Sequence, residues 1–209
     1  MNKKICIVDY GMGNIRSVFN AFKYLGFTSI VSSHARDIAN SDCIILPGVG
    51  SFRVAMDYLV QHGIDDAIKT AVIDRQKQIL GICLGFQLLA NSSREDGETT
   101  GLQIMDGLIT KIDSNEISEL KLPHVGFNTV QANDNSLLYK DLGSESDFYF
   151  VHSFCLENHC LDQSQIANCA YGGLFVASYE NQNVFGTQFH PEKSQANGLK
   201  LLENFLLAS

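Results

Sequence analysis

Among 209 residues there is no tryptophan, no Lys/Arg cluster of five or more, and no apolar run approaching the length of a membrane span. Without a basic stretch, and with 15 basic against 23 acidic residues for a formal charge of -8, the chain lacks the field that a phosphate backbone requires, so nucleic acid is not an expected partner. Without about 20 consecutive apolar residues no helix is expected to cross a bilayer. The start of the chain, Met1 to Asp9, has two lysines followed by too few apolar residues for a signal peptide, which predicts a cytoplasmic protein. Six cysteines (Cys6, Cys43, Cys83, Cys155, Cys160, Cys169) stand singly in mostly apolar segments. In a reducing compartment they read as buried thiols, not as a disulfide framework. No repeat, linker or low-complexity tract interrupts the chain, and 45% apolar content suffices for one core. One domain over 1–209 is expected, with 113–120 and 158–165 as surface loops.

What is present is an alternation. Ile5 to Val8 is a short apolar strand, followed by a Gly11-Met12-Gly13 loop and a helix that Asn14 caps, with Ile15, Val18, Phe19, Phe22 and Leu25 at helical spacing before Gly26 ends it. Thr28 to Val31 is the next strand. Cys43 to Leu46 then runs into Pro47-Gly48-Val49-Gly50 and a helix carrying Val54, Met56, Leu59 and Val60, and Ile79 to Ile82 precedes a helix near Phe86 to Ala90. Apolar strands alternating with amphipathic helices predict a parallel sheet covered on both faces. Beyond about residue 100 the pattern changes to strand-like runs at 108–110, 125–130, 148–151, 175–179 and 184–189, and a final helix spans roughly 195–207 and buries Leu199, Leu202, Phe205 and Leu206. The expected fold is therefore α/β: three layers, a central mostly parallel sheet with helices on both faces, and an antiparallel extension.

Chemistry concentrates at Gly81-Ile82-Cys83-Leu84-Gly85, where a strand turns abruptly into a helix. Glycines two residues either side of Cys83 permit a tight turn, and the following helix directs free N-H groups and a positive dipole end toward the sulfur, favouring thiolate. Far downstream, Phe189-His190-Pro191-Glu192 supplies a base and, two residues on, a carboxylate to orient it. Leu84 N-H is one candidate oxyanion donor, and the 47–50 loop offers a second from Val49 or Gly50. This set predicts acyl transfer through a thioester. Alone, Cys83 reads as a buried thiol and His190 as a satisfied core or edge histidine; together with Glu192 they read as a triad. His124 and His152 are as readily structural as ligand-touching, and Glu192 and Lys193 alone are solvated turn charges. Asp65-Asp66 and Glu95-Asp96 read first as helix-start or loop charges. Arg16 stands where Gly-x-Gly-x-x-Gly needs its third glycine, so the 11–13 loop is not a dinucleotide site. Cys155, His159 and Cys160 lack a second ligand pair, so no metal is expected. Nor is any cofactor.

The segments 81–87 and 189–192 resemble those of class I, triad-type glutamine amidotransferases. Asp9 to Asn14, Pro47 to Phe52, Leu122 to Asn128, Tyr149 to Ser153 and Gln188 to Ser194 together are similar, in order and over nearly the whole chain, to the glutaminase subunits of imidazole glycerol phosphate synthases. The resemblance implies hydrolysis of L-glutamine and delivery of ammonia to a (β/α)8-barrel synthase in a heterodimer of histidine biosynthesis. It implies that Gln87 and Glu95, with Ser153 and Phe154 nearby, contact glutamine. It further implies that Asn14, Tyr149 and Lys193 lie at the partner interface near the ammonia exit, and that the Val49-Gly50 loop rests wrongly oriented until the partner binds its ligand. Where such subunits commonly have methionine after the elbow and Met and Trp in the 123–128 segment, this chain has Phe86, Val125 and Phe127. Three alternatives accompany this reading: a paralogous glutaminase feeding amidination of a surface-polysaccharide sugar, a cysteine peptidase-like hydrolase, and a non-catalytic scaffold subunit.

Overall fold

The computed structural model describes residues 3–112, 121–157 and 161–208. The loop expected at 113–120, and 158–160 of the second loop with His159 and Cys160, lie outside the described residues. Among the described residues thirteen strands occur in chain order: β1 Ile5–Val8, β2 Ser29–Ser32, β3 Cys43–Gly48, β4 Gln78–Cys83, β5 Ser92–Ser93, β6 Thr99–Thr100, β7 Leu108–Lys111, β8 His124–Gln131, β9 Glu145–His152, β10 Phe154–Leu156, β11 Ile166–Ala170, β12 Leu174–Asn181 and β13 Val184–Thr187. The helices are α1 Ile15–Tyr24, α2 Ala35–Ala39, α3 Phe52–Gln61, α4 Ile64–Lys69, α5 Leu84–Leu88 and α6 Gln195–Leu207, with a π turn at Thr70–Asp74 and 3-10 turns at Gln163–Gln165 and Pro191–Lys193.

A nine-stranded sheet runs in the order β2-β1-β3-β4-β13-β12-β11-β8-β9. From β2 to β13 neighbours are parallel, and from β13 outward to β9 they are antiparallel. The central strands are apolar throughout because both faces are covered. Ile5, Ile7, Cys43, Ile45, Leu80 and Ile82 pack on one side with Val18 and Phe22 of α1 and Leu201, Leu202 and Phe205 of α6. Their alternates Cys6, Val8, Ile44, Leu46 and Ile79 pack on the other with Phe52, Ala55 and Leu59 of α3, Ile64 and Ile68 of α4 and Leu84 and Phe86 of α5. That is the period-two pattern of a strand serving two cores at once. No helix among the described residues is long and apolar enough to cross a membrane.

Several expectations shift. Val54 and Val60 on α3 are exposed; the buried stripe is Phe52, Ala55, Met56 and Leu59, spaced three, one and three residues apart as one helical face requires. Asn14 occupies the N-cap of α1, and its carbonyl accepts from Val18 N-H, but its side chain makes no capping bond. Asp65 is not solvated: it is buried at the start of α4, 3.7 Å from Lys69 one turn later. A second sheet, ordered β10-β7-β5-β6, was not foreseen. Its strands β5 and β6 have two residues each, too few to display a period, and its last strand, β10, follows β9 of the large sheet after the single residue Ser153.

Candidate active site

Three parallel strands deliver their carboxyl ends to one place. β1 leads into the loop at 9–14, β3 into Val49 and Gly50, and β4 into Cys83, with Gly48 and Cys83 in register across β3 and β4. Cys83 has φ 54° and ψ -111°, a conformation that costs a non-glycine residue about 1–3 kcal/mol and survives only because its surroundings impose it. Gly85 imposes part of it: a Cβ there would collide with the Leu46 carbonyl, so α5 can seat directly on β3 only with glycine at that position. The helix after the elbow has only five residues, so its dipole is slighter than expected, and the contribution near the sulfur is its unsatisfied first-turn N-H groups, Leu84 first.

His190 and Glu192 are almost wholly buried, and Nδ1 of the imidazole lies 2.8 Å from Glu192 Oε1. Nε2 has no hydrogen-bond partner among the described residues. Burial alone would lower the imidazole's affinity for a proton, but the neighbouring Cys83 sulfur and Glu192 carboxylate outweigh it and hold His190 up at about 9. The sulfur and the imidazole are therefore neighbours whose geometry is too long or misaligned for a resting hydrogen bond, a common condition in a site without its substrate. Burial pushes the thiols of Cys43, Cys155 and Cys169 up to about 12 and that of Cys6 to about 11, which keeps them protonated and inert at neutral pH.

Cys83 opens on a cleft of about 300 Å³ lined by Val49, Gly50, Leu84, Gln87, Glu95, Ser153 and Phe154, with Pro123, Val151 and His152 completing the wall. All seven residues expected at the oxyanion and substrate positions thus converge on the thiol. Glu95 reaches the cleft from the β5 turn, where one carboxylate oxygen accepts from the Phe52 N-H at 2.9 Å. Burial raises its pKa, partly offset by that bond, and the charge of Asp96 raises it further. The three residues expected at an interface lie outside the cleft. Lys193 Nζ sits 5.7 Å over the Tyr149 ring, Phe127 meets the same ring edge-on at 5.6 Å, and α1, with Asn14 at its start, contacts the Pro191–Lys193 turn.

The edge strand β9 ties the two catalytic candidates together. Ladder alternation leaves Asp147, Tyr149 and Val151 facing away from β8. Tyr149 O accepts from His190 N-H at 2.9 Å, Tyr149 N-H donates to Ser194 Oγ at 2.9 Å, Val151 O accepts from the Cys83 thiol at 3.8 Å, and Asp147 O accepts from the Asn197 amide at 3.2 Å. A thiol beside a buried imidazole-carboxylate pair, facing a small cleft lined by Val49, Gly50 and Leu84, can attack a carboxamide, hold the acyl group as a thioester and return a proton to the departing nitrogen.

The family model for glutamine amidotransferase class-I matches residues 6–209. The chain belongs to this family. Among relatives of this class I glutamine amidotransferase, an imidazole glycerol phosphate synthase subunit HisH 1 of Parasynechococcus marenigrum is 46% identical over 203 residues, covering 97% of each chain. A HisH 1 subunit of Campylobacter jejuni is 43% identical over 201 residues, covering 96% of this chain and 98% of the relative. The fold is shared with a crystal structure titled glutamine amidotransferase, at TM-score 0.75 and 17% identity with 97% of each chain covered. It is shared also with PurLQS from Thermotoga maritima, at TM-score 0.71 and 22% identity with 99% of each chain covered.

Two residues beside the candidate site escaped the sequence reading. Gln188, fully buried, directs Nε2 at the Cys83 sulfur across 3.8 Å and accepts from Gln87 Nε2 at 2.9 Å. Tyr10 brings a buried hydroxyl, without a hydrogen-bond partner among the described residues, to the glycine loop of β3, its ionisation suppressed by burial and by the charge of Cys83. Both sit in motif segments already singled out, but only packing shows where their side chains end.

Proposed function

We propose that this chain is the glutaminase subunit of an imidazole glycerol phosphate synthase: it hydrolyses L-glutamine to glutamate and ammonia, and the ammonia passes to a (β/α)8-barrel partner that makes imidazole glycerol phosphate and aminoimidazole carboxamide ribotide in histidine biosynthesis. The observation that carries the reading is the meeting of Cys83, the His190-Glu192 pair and the cleft in a chain that aligns over its length with HisH subunits. Nε2 of His190 takes the thiol proton, and the sulfur attacks the side-chain carbonyl carbon of glutamine. The resulting oxyanion is held by Leu84 N-H and by the N-H of Val49 or Gly50, a donor whose loss typically costs a few kcal/mol of transition-state stabilisation. The imidazolium then protonates the nitrogen, ammonia leaves, and water, deprotonated by His190, hydrolyses the thioester. Glu192 holds the imidazole tautomer through Nδ1-H. Across the cleft, the Glu95 carboxylate faces the substrate ammonium, and Gln87, Ser153 and Phe154 bound the remainder. Asn14, Tyr149 and Lys193, beside the exposed Val125 and Phe127 of β8, form the surface on which the barrel docks. The whole chain acts as one glutaminase domain in the cytoplasm, where its thiols stay reduced.

The test uses the chain and its barrel partner. Cys83→Ala is expected to abolish glutamine-dependent synthesis by the complex while leaving ammonia-dependent synthesis intact, and the wild-type chain is expected to hydrolyse glutamine far faster in the complex than alone. Complementation of a histidine auxotroph by the pair supports the assignment. Failure to complement by a pair that turns over glutamine assigns the ammonia to another acceptor and sinks it.

A further inference from the structure

A buried polar chain leads from β8 to the nucleophile. Phe154 O is a backbone carbonyl and can only accept, and it receives Gln87 Nε2 at 2.8 Å and His152 Nδ1 at 2.9 Å. This single atom fixes everything joined to it. Because Gln87 turns its amide nitrogen to that carbonyl, the same nitrogen's second hydrogen goes to Gln188 Oε1 at 2.9 Å. Gln188 must then present its own Nε2 on the opposite side, where the Cys83 sulfur stands 3.8 Å away. Reversing the Gln188 amide would set two donors against each other at Gln87 and aim an oxygen lone pair at the sulfur. On the other branch, a His152 that donates through Nδ1 accepts through Nε2, so His124 donates from Nδ1 at 3.1 Å, and Asn128 Nδ2 approaches His124 Nε2 at 3.4 Å while also donating to Ala170 O at 3.0 Å. His124, His152, Gln87, Gln188 and Cys83 are buried and Phe154 is half-buried, and burial holds His124 and His152 neutral, as this tautomer assignment demands.

We propose that Gln188 is a further catalytic residue of the reaction above, a fixed donor to the Cys83 sulfur that stabilises its thiolate form, and that Gln87 is its positioning residue. The inference rests on the glutaminase reading for the reaction it serves, but the contact itself concerns only the thiol. As the thiol proton passes to His190 Nε2, the sulfur ceases to donate to Val151 O and becomes an acceptor facing Gln188 N-H. A hydrogen bond to an ionised acceptor is about twice as strong as a neutral one, so the contact strengthens when negative charge appears.

The experiment measures the alkylation rate of Cys83 by iodoacetamide against pH in the isolated chain, with the labelled residue identified by mass. The titratable groups facing the sulfur are His190 with Glu192 behind it, Tyr10, His152 and, across the cleft, Glu95. Gln188→Met, which keeps the volume and removes the donor, is expected to raise the midpoint pH by about one unit, equivalent to about tenfold less thiolate at neutral pH. Gln87→Met, which leaves Gln188 in place but frees its amide to rotate, is expected to shift it in the same direction by about two- to fivefold. An unchanged midpoint in folded Gln188→Met overturns the proposal. If that variant does not fold, an unchanged midpoint in Gln87→Met overturns it instead, and a shift in Gln188→Met without one in Gln87→Met overturns the orienting role. Because the readout is thiol chemistry, failure of the wild-type complex to use glutamine would sink the functional reading while leaving this result standing.

Discussion

His190 is the residue whose ionisation departs most usefully from habit, since burial opposes its proton and two partners restore it. Its folded pKa of about 9 lies above the ordinary 6.5, so the interaction stabilises the fold fully below pH 6.5 and is lost as pH rises through about 9. Denaturation of wild type and Glu192→Gln should therefore differ most below pH 6.5 and converge above 9, and the imidazole resonance should titrate at a lower pH in the variant. Equal titration in both would remove Glu192 from its role. At this scale much was legible in the sequence. Cys83 between two glycines and His190 two residues from Glu192 are local patterns whose geometry follows from spacing. Gln188 was not, because its bond joins residues 105 apart and depends on which way two amides turn.

At the scale of elements, the parallel half of the sheet and α6, which spans Gln195–Leu207 as read, were legible because long periodic segments report their own burial. The five-residue α2 and the two-residue strands β5 and β6 were not, since such lengths carry no period. The packing of α5 against β13 was equally hidden. Phe86 is fully buried with its ring against Gly186, where a methyl group would overlap it, so the larger residue after the elbow is matched by an empty position on the neighbouring strand. Gly186→Ala is expected to destabilise by about 1–3 kcal/mol, at about 2–4 °C of melting temperature per kcal/mol for a chain of this size. Adding Phe86→Met, a slimmer and more adaptable side chain, should recover part of the loss. No loss in the single variant would mean the ring has room to move.

For the molecule as a whole, the exposed Val125 and Phe127 of β8, each at least half exposed, sit beside Tyr149 and Lys193 on the side proposed for docking. Changing both to aspartate should leave the melting temperature within a degree or two, because neither is buried, while weakening partner binding by tenfold or more. Titration calorimetry with the barrel would read this directly, and unchanged affinity would move the docking surface elsewhere.

On the border strand β9, the outward carbonyls of 147, 149 and 151 and the N-H of 149 are already bonded, to Asn197, His190, Cys83 and Ser194 respectively. A visiting polypeptide that extended the sheet from this margin by strand addition would therefore have to displace four existing bonds. Recognition there favours side chains over strand pairing, and any force that a docked protein exerts on Tyr149 is felt one hydrogen bond away by the backbone that carries the base.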